Sequence, residues 1–154
     1  MTNQSSDQHA PSELEAFISR CQDGLRQQVQ GNSEPFLDVW SHADDVAILG
    51  AIGSYARGWH DVRTHILAAA QALDWTSVVI ERIVTVTSDD LAVSVALERM
   101  TRQLDANSDA RTLRVTHAYR LEQGQWRLIL RHANQVSPED QDRERTILGD
   151  TRGS

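Results

Sequence analysis

Residues Arg111–Asn134, RTLRVTHAYRLEQGQWRLILRHAN, decide the fold of this chain. Apolar and polar residues alternate on both sides of Gln123-Gly124, the pattern of two half-buried strands joined by a tight turn. A two-residue hairpin loop sets the register: Leu121 opposes Trp126, Tyr119 opposes Leu128, His117 opposes Leu130 and Val115 opposes His132. Directly opposed residues share one face of a sheet. One face therefore carries Val115, His117, Tyr119, Leu121, Trp126, Leu128, Leu130 and His132. The other carries Arg114, Thr116, Ala118, Arg120, Arg127, Ile129 and Arg131. The first face is mostly apolar yet holds two imidazoles and a phenol, the usual make-up of a small-molecule pocket wall.

Upstream of the hairpin the period changes. Ser12 followed by Glu15 reads as a capping box. Leu14, Phe17, Ile18, Cys21, Leu25 and Val29 then form one apolar stripe at helical spacing, stopped by Gly31-Asn32. A short second helix starts near Ser33, with Pro35 in its first turn and Phe36, Leu37 and Trp40 buried. Val46–Ile52 reads as a short strand, followed by a loop through Gly53 and Gly58. A third helix spans about Trp59 to Leu73, with Trp59, Val62, Ile66, Ala69 and Leu73 as its stripe. From Val78 onward the period is two: a strand to Thr87, a turn at Ser88-Asp89-Asp90, a strand Leu91–Gln103, a polar loop Leu104–Ala110, and the hairpin. The first ten residues are polar and expected to be disordered. Residues 137–154 form a charged, mobile tail with at most one helical turn. The domain proper is 11–136.

Three helices with an early short strand, then four long antiparallel strands, define the α+β class. Helices cover only one face of such a sheet, so a second subunit is the economical cover for the other.

The chain has 154 residues and a formal net charge of −7, which disfavours nucleic acid or anionic membrane as a partner. Its 15 basic residues are all arginine, so Schiff-base lysine chemistry is excluded. The single cysteine, Cys21, permits no intramolecular disulfide and no multi-cysteine metal site, and it sits on a helix stripe as a small hydrophobe. No apolar run suits a transmembrane helix and no signal peptide is visible, so a cytoplasmic location is expected.

The segments DVAILGAIGSYARGW, LAVSVALER and LRVTHAYRLEQGQWRLILRHAN stand in an order and at a spacing that resemble the nuclear-transport-factor-2-like superfamily, home of the SnoaL-like and ketosteroid-isomerase-like proteins. Gly124, Trp126 and His132 match the family pattern at the end of the hairpin. The resemblance implies a cone, a curved sheet wrapped around the helices with a pocket at the open end, and dimerisation through the outer sheet face. It does not imply one activity, because the superfamily hosts isomerases, dehydratases, cyclases, epoxide hydrolases and non-catalytic domains. The association domain of calcium/calmodulin-dependent kinase has a similar fold and only assembles.

Candidate site residues follow from both readings. His117, Tyr119 and His132 supply a possible base and electrophilic donor. With the family cone turning that face inward, they meet a cavity lined by Leu128, Leu130 and helices one and three. Tyr55 and Trp59 sit where the family has a pocket rim, and Trp40 closes the second helix. Glu98, a carboxylate in mid-strand, asks for a partner. Arg114 or Arg131 would make it a structural ion pair on the outer face; facing the pocket, it would be the best general base. The row Arg114, Arg120, Arg127 and Arg131 reads as a solvated or interfacial face, with anion binding as the sharper alternative: if that face lines the cone, the pocket prefers anions. Two histidines alone make a poor metal site, and no cofactor is implied.

Ketosteroid isomerases carry an aspartate base just after the ADD segment. The corresponding position lies near Gly50, and no carboxylate occurs from Val46 to His60. Their helix-one tyrosine falls near Gly24. Steroid isomerisation by that mechanism is therefore not expected. The expected function is a pocket for a small apolar organic molecule, with cofactor-free isomerase, dehydratase or cyclase chemistry as one outcome and a non-catalytic binding or dimerisation module as the alternative.

Overall fold

The computed structural model describes residues 12–72, 74–104 and 107–149. The first ten residues, Leu73 and part of the expected Leu104–Ala110 loop lie outside that set.

Helix α1, Glu13–Val29, starts where Ser12 Oγ accepts from the Glu15 amide at 3.2 Å. The Glu15 carboxylate does not turn back to complete the box; it meets Arg82 at 2.6 Å and ties α1 to the sheet. The helix ends in a Schellman arrangement, with the Asn32 amide on Gln27 O and the Gly31 amide on Gln28 O. Its stripe is buried as expected. Helix α2 is a single turn, Glu34–Leu37, with Phe36 and Leu37 buried. Helix α3 spans Trp59–Ala72.

The six strands form one curved sheet: β1 Ala47–Leu49, β2 Tyr55–Arg57, β3 Ser77–Thr87, β4 Leu91–Leu104, β5 Asn107–Glu122 and β6 Gln125–Gln135. Their spatial order is β2-β1-β6-β5-β4-β3. One expectation is corrected here. The segment after Val46 is two short antiparallel strands rather than one strand and a loop, closed by the Gly50 amide on Ser54 O at 2.8 Å. The four long strands are antiparallel as expected, and the short β1 runs parallel to β6. That pairing brings the connection after α2 back beside the far end of the hairpin.

The hairpin turn is Gln123-Gly124, with φ of 51° and 77°. Both central residues at positive φ match the twist of the strands they join. The register holds as far as Tyr119 opposite Leu128 and then shifts. Ala118 pairs with Leu130, His117 with Arg131, and Thr116 with His132, so Ile129 is an extra, bulged residue. Leu128 faces Tyr119 as a non-hydrogen-bonded pair, so its backbone groups point away from β5: its amide donates to Val39 O, and its carbonyl accepts from the Ser41 amide. The extra residue follows directly after it. A second irregularity falls between Arg82 and Val84.

The concave face packs on α1, α2 and α3. Its main core includes Phe17, Ile18, Phe36, Trp40, Val62, Ile66, Tyr119 and Leu128, and a smaller cluster holds Val29, Val78, Met100, Leu113, Val115 and Ala133. The convex face stays apolar in part: Val79, Val84, Val86, Leu91 and Val93 are 40–63% exposed. The tail expectation is corrected too, since Pro138–Leu148 forms an eleven-residue helix, α4, capped by Ser137. It buries none of its residues. Among the described residues no helix is long and apolar enough to cross a membrane.

The turn geometry yields a test. A β-branched residue at Gly124 is forced into a left-handed backbone, so Gly124→Val should lower stability by roughly 1–2 kcal/mol, while Gln123→Gly should be neutral or stabilising. Urea denaturation of both variants measures it.

Candidate functional site

The bulge at Ile129 decides which side chains face inward. Beyond it every β6 residue is rotated by one position, so Arg131 and Ala133 are buried on the concave face. His132 is exposed on the convex face, and Leu130 is half-buried opposite Ala118. The expectation that His132 and Leu130 join His117 and Tyr119 is therefore corrected. A one-residue slip inverts a strand's faces.

Arg131 takes the inward place and organises a buried polar chain. Its Nη1 and Nη2 donate to Glu98 Oε2 and Oε1 at 2.8 and 2.7 Å, a two-pronged pair. Nη1 also donates to His117 Nε2 at 3.0 Å. Arginine has only donors, so Nε2 must be the unprotonated nitrogen of the imidazole. The proton then sits on Nδ1 and is given to Tyr119 Oη, 3.3 Å away. Tyr119 in turn donates to Ser94 Oγ at 2.7 Å. Glu98 thus pairs with Arg131, but on the inner face, where it is 1% exposed, not on the outer one.

Burial opposes the charge on Glu98, yet the Arg131 charge and its two hydrogen bonds hold the carboxyl below its usual range. Burial, then the Arg131 charge, pushes His117 down to about 3. Burial pushes the Tyr119 hydroxyl above its ordinary value. Glu98 and Arg131 are ionised at neutral pH, while His117 and Tyr119 are neutral. None of the four is poised to exchange a proton near pH 7, so the chain positions Arg131.

A cavity of about 400 Å³ lies beside this chain, between the two core clusters. Helix α1 contributes Leu25, Gln28 and Val29, and α3 contributes His65, Ile66, Ala68, Ala69 and Ala72. The sheet adds Met100, Leu113, Arg131, Ala133 and Gln135, and the β1–β2 turn adds Gly50 and Ser54. Small alanines on α3 leave the volume unfilled. Gln28 Nε2 donates to Ile66 O at 2.8 Å, while its Oε1 is sealed from solvent without a partner among the described residues. His65 is half-buried, burial lowers its pKa, and no described residue hydrogen-bonds its ring. A Cβ on Gly50 would lie 2.8 Å from Ser54 Oγ and 3.2 Å from His65 Nε2. The imidazole and the hydroxyl therefore converge on the space a side chain at position 50 would claim.

Of the sequence-derived candidates, Arg131 of the arginine row is the one that lines this cavity among the described residues. His117 and Tyr119 lie behind Arg131. Leu128 is core, and Trp40 is core against Phe36 at a 6.0 Å ring separation. Trp59 stacks on His42 at 4.3 Å, and Tyr55 is 79% exposed on β2. Of the arginine row, Arg120 is bound to Asp45 and Glu122, and Arg127 reaches Asp38 O. Sequence reasoning missed Gln28, Ser54, His65, Gln135 and the inward turn of Arg131. The alanine run Ala68-Ala69-Ala70 beside His65 was the signal present, since small residues on a core-facing stripe leave room. Among the described residues no three His, Cys, Asp or Glu side chains cluster as a metal site would require.

The SnoaL-like domain family matches residues 22–136. No curated protein matches the chain. Among solved structures, a ketosteroid isomerase-like protein from Erwinia carotovora atroseptica superposes with a TM-score of 0.69 at 15% identity, covering 87% of this chain and 99% of that one. A Thiobacillus denitrificans protein, provisionally named a calcium/calmodulin-dependent protein kinase type II association domain, gives 0.68 at 18% identity, covering 80% and 94%. An NTF2-like protein of unknown function from Pseudomonas putida KT2440 gives 0.63 at 21%, covering 80% and 84%. At these identities the likeness is one of fold.

Two predictions follow from the buried chain. Glu98→Ala leaves a buried guanidinium uncompensated and should cost roughly 3–5 kcal/mol, and the double replacement Glu98→Leu with Arg131→Met should recover much of it. Denaturant titration checks both. The second concerns acid. The folded-state pKa of His117 is about 3, below its ordinary 6.5, so between those values the unfolded chain binds the extra proton. Stability is full above about pH 6.5 and falls on acidification, with a slope approaching about 1.4 kcal/mol per pH unit from this group. Depressed Glu98 acts in the same direction at lower pH. His117→Gln should flatten the upper part of the profile.

Proposed function

Because the chain belongs to the SnoaL-like domain family, we propose that it binds a small, largely apolar organic molecule in the cavity between α1, α3 and the concave sheet face. The observation that carries this reading is the cavity itself: about 400 Å³, walled by apolar side chains, with five polar ones converging on it. Apolar bulk with a few placed polar groups is what small-ligand sites share.

Cofactor-free isomerase, dehydratase or cyclase chemistry needs a proton acceptor at the ligand. In this reading His65 is that residue. Burial lowers its pKa, no described residue hydrogen-bonds its ring, and Ser54 Oγ converges on the same space. The aspartate base that the family resemblance puts near Gly50 is thereby replaced from the opposite side of the same space. His117, Tyr119 and Glu98 support the site from behind Arg131. The non-catalytic alternative keeps the same cavity and ligand without His65 chemistry.

Homodimerisation through the convex face, in the cytoplasm, completes the proposal. Its support is the exposed Val84, Val86, Leu91 and Val93 on β3 and β4, an apolar surface that a second copy would cover, with Val79 beyond the Glu81–Arg99 ion pair.

Ligand-detected NMR with a fragment library tests the pocket. Apolar hits are expected, weakened at least about tenfold by Ala69→Trp, which fills the cavity. Hits indifferent to that change would overturn the reading. Sedimentation at micromolar concentration tests the assembly: wild type should run at twice the monomer mass, and Val84→Arg with Val93→Arg should run as a monomer.

A further inference from the structure

The buried chain leaves one edge of Arg131 unused. A guanidinium carries five N–H donors. Two, one from each terminal nitrogen, go end-on to Glu98, and the second Nη1 hydrogen goes to His117 Nε2. The remaining two are Nε–H and the second Nη2–H, which lie side by side on one edge of the plane. Neither has a protein acceptor among the described residues, and Arg131 lines the cavity while being only 7% exposed. The free edge is a paired donor site held rigid from behind by Glu98 and His117.

Charge decides what it accepts. The Arg131 and Glu98 charges cancel, and Arg131 is the only formally charged side chain among the described cavity-lining residues. A carboxylate bound at the free edge would carry its charge into an apolar cavity where the one cation is already neutralised. Buried charges without a partner of their own are heavily penalised. The chain's net charge of −7 adds a further bias against anions. A neutral carbonyl oxygen satisfies the same two donors without that cost. Building on the pocket reading above, we propose that the ligand is an uncharged carbonyl compound, a ketone or ester, whose oxygen docks on the Nε–Nη2 edge of Arg131. Glu98 is then a specificity-determining residue: its charge sets the preference for neutral ligands.

The test uses the whole chain and two matched probes, 2-decalone and decalin-2-carboxylate, with affinities from ligand-detected NMR at pH 7. The ketone should bind at least about tenfold more tightly than the acid. The infrared stretch of carbonyl-13C 2-decalone should move to lower frequency when bound, as two N–H donors require. Glu98→Gln, which keeps the shape and removes the charge, should reverse the ranking in favour of the carboxylate. If that variant does not fold, the wild-type ranking and the infrared shift still decide. Equal or tighter binding of the acid by wild type, an unshifted carbonyl stretch, or an unchanged ranking in folded Glu98→Gln would overturn the proposal and leave the pocket reading standing. Failure of both probes to bind would overturn the two together.

Discussion

The Glu98–Arg131 pair is the constraint on which the concave face depends. Glu98 lies on β4 and Arg131 on β6, so the pair reaches across β5 and clamps three strands. Two ions so deeply buried persist only when their hydrogen-bonding capacity is largely met. Both Glu98 oxygens are occupied, and three of the five Arg131 donors are used within the protein. His117 is recruited as an acceptor, which fixes its tautomer and, through it, the direction of the Tyr119 hydrogen bond to Ser94. A row that could have been wholly apolar is thus polar and oriented along its length, and Arg131 at its end lines the cavity.

The pair is possible only because β6 bulges. Without the extra residue at Ile129, Arg131 would point outward with Arg127, and His132 would point inward. On its other edge β6 is bonded by the Val39–Ser41 segment at Leu128 and, further along, by β1 in parallel. The one extra residue at Ile129 thus decides which cation meets Glu98. Bulges beside sites commonly act this way, re-aiming a side chain at the expense of ladder regularity.

The cavity arises from what the helices lack. Ala68, Ala69 and Ala72 on α3 and Gly50 in the β1–β2 turn do not fill the space that the curved sheet encloses. His65 and Ser54 occupy its edge, Gln28 and Arg131 stand elsewhere on its lining, and the remaining wall is mostly apolar. Rigid polar groups around an apolar volume suit recognition, because little ordering remains to be done when a ligand enters. The convex face follows the opposite logic, with exposed valines on β3 and β4 and a C-terminal helix that buries nothing.

Local pattern alone determined the α+β class, the capped first helix, the third helix, the hairpin turn and the pairing of Tyr119 with Leu128. Each rests on periodicity, on capping chemistry, or on glycine at positive φ, and all of these act over a few residues. The run Leu128-Ile129-Leu130 is where that legibility ended. Three apolar residues in succession hide a change of phase, since either face would accept them, and the assignments of His132, Leu130 and Arg131 inverted together. Glu98 announced a need for a partner, but not which strand face would hold it. The cavity was equally invisible, because an alanine on a helical stripe reads the same whether a neighbour fills the space or not. Those choices belong to tertiary structure: they depend on how the curved sheet meets the helices, and on hydrogen bonds between segments far apart in the chain.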